Sequence, residues 1–157
     1  MSEAAVFAIS FEDFLELEHG ADVRHEYVGG RIYAVSGGTE RHDLVGGLLY
    51  QAIVGPAQEK GCRTFIANRL LRTPSNSAYC PDIMVVCGMA ADPQYERDAA
   101  LIVEVLSRST AGIDRREKAL AYFESPTLRQ YLLVDPQWPK IEVAVSTPGG
   151  LIWRVYG

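Results

Sequence analysis

Several features that would assign a function class are scarce or missing in this sequence. Apolar runs fall well short of the roughly 20 residues that span a bilayer, so no membrane segment is expected. Residues 1–5 have no basic stretch ahead of an apolar one, which argues against a secretory signal. Three irregularly spaced cysteines predict neither a disulfide framework nor a zinc site, and the predicted compartment is a reducing cytoplasm. No GxxxxGKS phosphate loop is present either.

The composition is that of an ordinary globular protein with an uneven distribution of charge. The 157 residues are 48% hydrophobic and 22% charged, which predicts a single domain over residues 1–157. The net charge is -5, but residues 1–30 hold seven acids and one base. Residues 60–81 carry four bases and no acid, which indicates either a nucleic-acid contact or a solvated loop. Because such binding depends on a local patch, the overall acidity does not exclude DNA.

Local patterns predict a mixed α/β domain built around a central sheet. Helices are predicted over residues 11–19, 41–54 and 114–124, and a hairpin with a glycine turn over residues 24–35. Strands are predicted over residues 62–67, 69–72, 82–86, 99–106 and 130–134, followed by a hairpin over residues 141–155. Gly55-Pro56 is expected to end or kink the second helix. Asp114 is expected to cap the third helix, since Asp114 and Glu117 resemble a capping box.

Two carboxylates at the ends of apolar strands are the strongest functional signal. Glu104 lies inside an apolar strand, where an unpaired carboxylate is costly, and a polar loop follows it. Asp82 follows Pro81 at the start of another apolar strand. If the two strands are neighbours, the carboxylates converge and need a cation between them. With no histidine nearby in sequence, this pair suits Mg²⁺ or Mn²⁺ better than zinc. The alternatives are a strand-end glutamate that reaches solvent or an arginine, and an aspartate that caps a turn.

Lys118 is the third candidate for chemistry. Lys118 and Tyr122 are four residues apart on a predicted helix and therefore share a face. An ammonium group beside a metal-bound water or a scissile phosphate could help deprotonate that water or stabilise negative charge. The alternative is a solvated lysine lying along its helix, with Tyr122 half in the core.

Taken together, these residues resemble the Uma-two family of restriction-endonuclease-like proteins, formerly a domain of unknown function, in the PD-(D/E)XK nuclease superfamily. The resemblance covers roughly residues 10–145. The matching positions are Pro81, Asp82, Glu104, Ser107, Ser109, Thr110, Asp114, Lys118, Tyr122 and residues 131–136, with residues 25–32, Arg41 and His42 in support. The family resemblance implies a restriction-endonuclease-like αβββαβ core, in which a central mixed sheet is flanked by helices and hairpins are added.

The resemblance also implies a function and a site. It predicts an Mg²⁺-dependent or Mn²⁺-dependent endonuclease that hydrolyses phosphodiester bonds of DNA. Asp82, Glu104 and the backbone carbonyl of Val105 would hold the metal. Lys118 would replace the usual lysine two residues after the glutamate, where this chain has Leu106. Secondary candidates are Glu26, His42, Ser107 and Tyr122, and the predicted DNA contacts are Arg69, Arg72, Arg108 and Arg115.

Two other functions compete with the nuclease. A non-catalytic nucleic-acid-binding or assembly module is suggested by Leu106 and by the overall acidity. A hydrolase of another phosphate-containing substrate would use the same metal site. Cutting both strands of a duplex favours a homodimer, for which the edges of the C-terminal hairpin are the predicted interface.

Overall fold

The computed structural model describes residues 8–157, so residues 1–5, predicted to lack a secretory signal, lie outside the described residues. The helices are α1 (Phe11–Glu18), α2 (Glu40–Glu59), α3 (Ala111–Ile113) and α4 (Ala119–Tyr122), and a π-helical turn, Asp114–Lys118, joins the last two. The strands are β1 (His25–Val28), β2 (Arg31–Ala34), β3 (Arg63–Ile66), β4 (Leu70–Arg72), β5 (Ala78–Tyr79), β6 (Ile83–Val86), β7 (Tyr95–Glu96), β8 (Leu101–Val105), β9 (Gln130–Asp135), β10 (Lys140–Thr147) and β11 (Gly150–Tyr156). Among residues 8–157, no helix is long and apolar enough to cross a membrane.

The strands form two sheets, whereas the sequence predicted one central sheet. One sheet has six strands in the order β11-β10-β9-β8-β6-β3, and the other has five in the order β2-β1-β5-β4-β7. In the six-stranded sheet, β8 pairs antiparallel with β6 and parallel with β9. A parallel connection needs a crossover, and the helical segment from α3 to α4 provides it. The predicted mixed α/β fold is confirmed.

The six-stranded sheet is covered on both faces. Val45, Leu49 and Ile53 of α2 pack on one face, against the cluster that contains Val103. Ile102 belongs to the core on the opposite face, together with residues of α4 and of the five-stranded sheet. Because side chains alternate along a strand, Glu104 shares the face of Ile102 and is directed toward the helical crossover.

Most of the predicted elements are confirmed, and α2 needs a correction at its end. In α1, the Ser10 side chain accepts a hydrogen bond from the Asp13 amide at 3.0 Å, so the predicted cap is present. The predicted end of α2 at Gly55-Pro56 is wrong, because the helix continues through Pro56 to Glu59. Ala57 in this last turn is buried against Cys62 and Val85, and this packing offsets the cost of the proline.

The third helix starts earlier than predicted, and Asp114 does not cap it. The helical segment begins at Ala111, and the Asp114 backbone is itself helical, with φ -60° and ψ -41°. The Asp114 side chain is buried and faces Lys118, so it is not available for a cap. The helix also ends at Tyr122, two residues before the predicted Glu124.

The segment predicted as a strand over residues 69–72 belongs to the smaller sheet. There β4 pairs antiparallel with β5 and parallel with β7, so it neither extends β3 nor pairs with it. Strands β5 and β7 have only two residues each and were not predicted from the sequence.

One disulfide is present that the cysteine spacing did not predict. Cys62 and Cys87 are bonded. Cys62 immediately precedes Arg63 and Cys87 immediately follows Val86, and these two residues pair at the end of the β3–β6 ladder. Cys80 is free and buried. The cysteine spacing predicted no disulfide framework. The structure has one bridge, which joins two of the three cysteines.

Candidate active site

The two strand-end carboxylates lie together where β6 begins and β8 ends. Ile83 pairs with Val103 across these neighbouring strands, which places Asp82 beside Glu104. The Asp82 amide donates a hydrogen bond to Glu104 Oε2 at 3.2 Å, and the Val105 amide donates to Asp82 Oδ2 at 2.7 Å. Each carboxylate is therefore held by the backbone of the neighbouring strand, and the predicted convergence is present.

Glu104 is buried in a setting that disfavours its charge. Its side chain is 5% exposed. Burial raises its pKa to about 8, although the positive charge of Lys118 opposes this and the nearby Asp82 adds to it. Oε1 accepts a hydrogen bond from the Tyr122 hydroxyl at 2.9 Å and another from Lys118 Nζ at 3.4 Å. Tyr122 is thus both a core residue and a direct partner of the predicted metal ligand.

Lys118 is buried among three carboxylates. Its Nζ lies 3.0 Å from Glu26 Oε1, 3.4 Å from Glu104 Oε1 and 3.5 Å from Asp114 Oδ1. Burial alone would lower the pKa of Lys118, but these carboxylates outweigh it and raise the pKa above its ordinary value. Lys118 is therefore a permanent cation in this arrangement and is not the solvated lysine of the alternative interpretation.

Asp114 is a site residue whose place the sequence analysis missed. It is 2% exposed, and burial is the main cause that raises its pKa. Its Oδ1 has no hydrogen-bond partner within residues 8–157, apart from the ionic contact with Lys118. The π-helical turn carries both residues, and turns of this kind are frequent at functional sites. The signal in the sequence was the four-residue spacing between Asp114 and Lys118. Asp114 was instead interpreted as part of a capping box with Glu117.

Glu26 and His42 reach the site from two further elements. Glu26 of β1 receives hydrogen bonds on Oε1 from Lys118 and, at 3.1 Å, from the Cys80 amide. His42, in the first turn of α2, has Nε2 at 3.3 Å from Asp82 Oδ2. Its contact with the Asp82 carboxylate raises the pKa of His42 to about 9 despite partial burial. The expectation of no histidine near the acids is therefore wrong, but a protonated imidazole is no metal ligand.

Ser107 and the predicted DNA-binding arginines have other partners in most cases. Ser107 Oγ lies 2.8 Å from Thr110 Oγ1 and shapes the loop after β8. Arg69 is paired with the buried Glu96, and Arg115 makes two hydrogen bonds to Glu142 at 3.0 and 2.9 Å. Arg72 bonds to Asn76 and lies 3.9 Å from the Phe11 ring centroid. Arg108 is exposed and makes no side-chain hydrogen bond or ion pair in the described part of the chain.

The donor atoms of the site suit a hard cation. Across residues 8–157, no group of three or more His, Cys, Asp or Glu side chains is arranged to hold a metal ion. Asp82 and Glu104 nevertheless supply two carboxylates, and the Asp82 side chain is 25% exposed. Mg²⁺ often binds through one or two carboxylates and takes its other ligands from water and substrate phosphate. The residues present therefore fit Mg²⁺ or Mn²⁺ in an open site.

One family model matches most of the chain, and two curated proteins are similar to it. The sequence profile of the Uma2 family, described as "Putative restriction endonuclease", matches residues 11–155. The uncharacterized protein slr1290 of Synechocystis sp. (strain ATCC 27184 / PCC 6803 / Kazusa) is 30% identical over 142 residues, which cover 86% of this chain and 73% of that protein. The uncharacterized protein sll1609 of the same organism is 27% identical over 150 residues, with coverages of 90% and 83%.

A solved structure shares the fold. The crystal structure described as "a putative nuclease belonging to DUF820 from Anabaena variabilis ATCC 29413" superposes with a TM-score of 0.76. The match covers 94% of this chain and 84% of that chain at 17% sequence identity. At this identity the likeness shows the fold alone.

Proposed function

This chain belongs to the Uma2 family, and from that premise we propose that it is a metal-dependent endonuclease that hydrolyses phosphodiester bonds of DNA. The observation that carries the proposal is the meeting of Asp82, Glu104 and Lys118 at one end of two neighbouring strands. Two carboxylates and a fixed ammonium group supply the charges that phosphoryl chemistry requires.

Asp82 and Glu104, together with the backbone carbonyl of Val105, are the residues proposed to hold Mg²⁺ or Mn²⁺. When bound, such an ion stabilises negative charge on a phosphate and lowers the pKa of its bound water. Tyr122 orients Glu104 by donating a hydrogen bond to Oε1 at 2.9 Å. The Val105 amide orients Asp82 in the same way, at 2.7 Å.

Lys118 and His42 are proposed to act as cations toward the substrate phosphate. The carboxylates around Lys118 keep its ammonium charged, so it would stabilise developing negative charge and would not accept a proton. His42 is charged at neutral pH for the same kind of reason and would donate a hydrogen bond to a phosphate oxygen. The sequence left two roles open for Lys118, deprotonating the bound water and stabilising negative charge, and the proposal keeps only the second.

The structure explains why Leu106 can stand where related nucleases have lysine. Leu106 is buried in the main core together with Ala119 and Tyr122. A lysine at this position would place its charge in that core. Lys118 lies 3.4 Å from Glu104, is carried by the helical crossover, and would supply the ammonium group that Leu106 cannot.

The nuclease proposal is tested by plasmid cleavage in Mg²⁺ and in Mn²⁺. We expect Asp82→Asn and Glu104→Gln to lower the rate by at least about a thousandfold, because each replaces a proposed metal-binding carboxyl group with an amide. Glu142→Gln is the matched control, since Glu142 is an ion-paired acid outside the site. Circular dichroism checks each fold. Cleavage at the wild-type rate by a folded Asp82→Asn variant would contradict the proposal.

A second candidate is a non-catalytic nucleic-acid-binding module. The observation that favours it is the ammonium of Lys118, which lies 3.4 Å from Glu104 and already offsets the charge of a carboxylate that a metal would require. This candidate predicts salt-sensitive DNA binding with no metal-dependent product. Product formation that depends on Glu104 would exclude it.

We also propose that two copies pair through the edge strand β11. Val155 and Tyr156 on this strand are 64% and 51% exposed. An exposed edge strand offers unpaired backbone groups to another strand, and a two-fold pair would place one site on each DNA strand. Light scattering should give twice the chain mass, and Val155→Lys should halve it. A monomer at high concentration would contradict the pairing.

A further inference from the structure

The edge strand β2 carries two side chains beside the site, Tyr33 and Arg31. Neither has a role in the proposed nuclease chemistry. Tyr33 pairs in register with Glu26, and Arg31 pairs with Val28. Residues directly opposite in an antiparallel pair point to the same face of the sheet, with Cβ atoms about 5 Å apart. Tyr33 therefore lies on the face of Glu26, one strand outward from the carboxylate that contacts Lys118 at 3.0 Å.

Both side chains are open to solvent. Tyr33 is 49% exposed and Arg31 is also exposed. Within residues 8–157, neither makes a hydrogen bond or ion pair through its side chain. The other tyrosines of this sheet, Tyr27, Tyr79 and Tyr95, are buried in hydrophobic clusters. The exposure of Tyr33 is thus an exception within its own sheet.

The chain leads directly from this strand into the other side of the site. After β2, residues 35–39 form the loop that precedes α2, and His42 in the first turn of α2 lies 3.3 Å from Asp82. Arg31, Tyr33 and His42 therefore border the site along one continuous stretch of chain. A substrate strand that contacts His42 would pass over or beside β2.

We propose that Tyr33 and Arg31 bind one nucleotide of the DNA substrate next to the cleaved phosphate, with Tyr33 stacked on its base and Arg31 on its phosphate. The position relative to cleavage rests on the proposed nuclease function. Aromatic side chains stack on bases of any sequence, and arginine suits phosphate oxygens. Both faces of a paired base are already stacked within a duplex. The surface therefore fits a DNA strand with an unpaired base beside the site.

Binding is measured by fluorescence anisotropy with a labelled single-stranded oligonucleotide and its perfect duplex, in Ca²⁺. We expect Tyr33→Ala to raise the Kd for the single strand about tenfold to hundredfold, the usual range for losing one stacked base. Tyr33→Phe keeps the ring and should stay within about twofold of wild type. Leu17→Ala is the control, because Leu17 is an exposed apolar side chain on α1, outside the site and outside the proposed pairing strand.

Arg31 is tested through the salt dependence of the same binding. Arg31→Ala should reduce the slope of log Kd against log salt by about 0.7, the value for one phosphate contact on a single strand. Arg129→Ala, an exposed arginine next to the pair of Gln130 with Leu101 at the end of β8 away from Glu104, should leave the slope unchanged. An equal change in slope in both variants would overturn the assignment of the phosphate contact to Arg31.

Other outcomes separate this inference from the nuclease proposal. Wild-type affinity in Tyr33→Ala overturns the inference, and so does an equal loss in Tyr33→Phe. A smaller mass for Tyr33→Ala in light scattering also overturns it, since β2 would then contact a second copy. If binding depends on Tyr33 but no product forms in Mg²⁺, the inference stands and the nuclease proposal fails. Cleavage that depends on Asp82 but not on Tyr33 supports the nuclease proposal alone.

Discussion

At the scale of single residues, Glu104 is a buried carboxyl group whose charged form is unfavourable in the folded protein. Its pKa in the folded state is about 8, above the ordinary value of 4.5, because burial disfavours the carboxylate. The folded protein therefore keeps a proton that the unfolded chain releases between these pH values. Stability must fall as pH rises through this window, by on the order of 1 kcal/mol per pH unit.

Glu104→Gln should remove this pH dependence. Urea unfolding from pH 5 to pH 8 should show the free energy of unfolding of wild type falling relative to that of the variant. Glu59→Gln changes an exposed glutamate and is the control that should run parallel to wild type. A constant difference between wild type and Glu104→Gln would mean that Glu104 is ionised throughout.

Gly38 fixes the position of His42. A Cβ atom at Gly38 would lie 2.4 Å from His42 Nδ1, so any side chain there must displace the imidazole. We expect Gly38→Ala to move His42 away from Asp82 and to lower the pKa of His42 from about 9 toward its ordinary value of 6.5. Gly37→Ala is the matched control, since no atom lies within 4 Å of the Cβ position there. An unchanged His42 titration by NMR in Gly38→Ala would contradict this.

The residues of the site were partly predictable from sequence. Asp82 and Glu104 stand out because a carboxylate next to an apolar strand is costly. Lys118 was a candidate from its place on the predicted helix, and the family resemblance assigned it to the site. Asp114 was misplaced because its three-residue spacing to Glu117 resembles a capping box, and only burial separates that interpretation from a place in the site. The pairing of Arg69 with Glu96 could not be predicted, because the two residues are 27 positions apart in the sequence.

At the scale of elements, Pro56 is an unfavourable residue in the last turn of α2. It has no amide hydrogen to donate to the carbonyl of Ala52, and its ring crowds that carbonyl. We expect Pro56→Ala to raise the free energy of unfolding by about 1–3 kcal/mol, measured with urea. Pro74→Ala, in the turn before β5, is the control and should give no gain. A less stable Pro56→Ala variant would show that the proline acts mainly on the unfolded chain.

Local sequence patterns predicted elements well where the signal itself is local. The two hairpins follow from glycine turns between apolar runs, and α1 follows from its cap at Ser10. The division into two sheets depends on pairings such as that of Tyr27 with Ala78, which no local pattern encodes. The π-helical turn is also invisible in sequence, since it satisfies contacts around Lys118 that form only in the folded chain.

At the scale of the whole molecule, the disulfide ties two strands of the larger sheet. Cys62 and Cys87 are 25 residues apart, and closing a loop of that length stabilises a protein by about 3 kcal/mol. We expect a reductant to lower the free energy of unfolding by about this amount. Cys62→Ser should be insensitive to reductant, whereas Cys80→Ser should respond like wild type. Three reactive thiols in denatured, unreduced protein would contradict the pairing.

Lys118 and Glu26, which lie 3.0 Å apart, are separated by 92 positions along the chain. During translation, β1 leaves the ribosome long before the helical crossover that brings its partner. A nascent chain that stops at β8 has both Asp82 and Glu104 but lacks the ammonium group and Tyr122 that hold Glu104 in place. Under the proposed function, competence for cleavage would therefore arise only once the helical crossover has been synthesised.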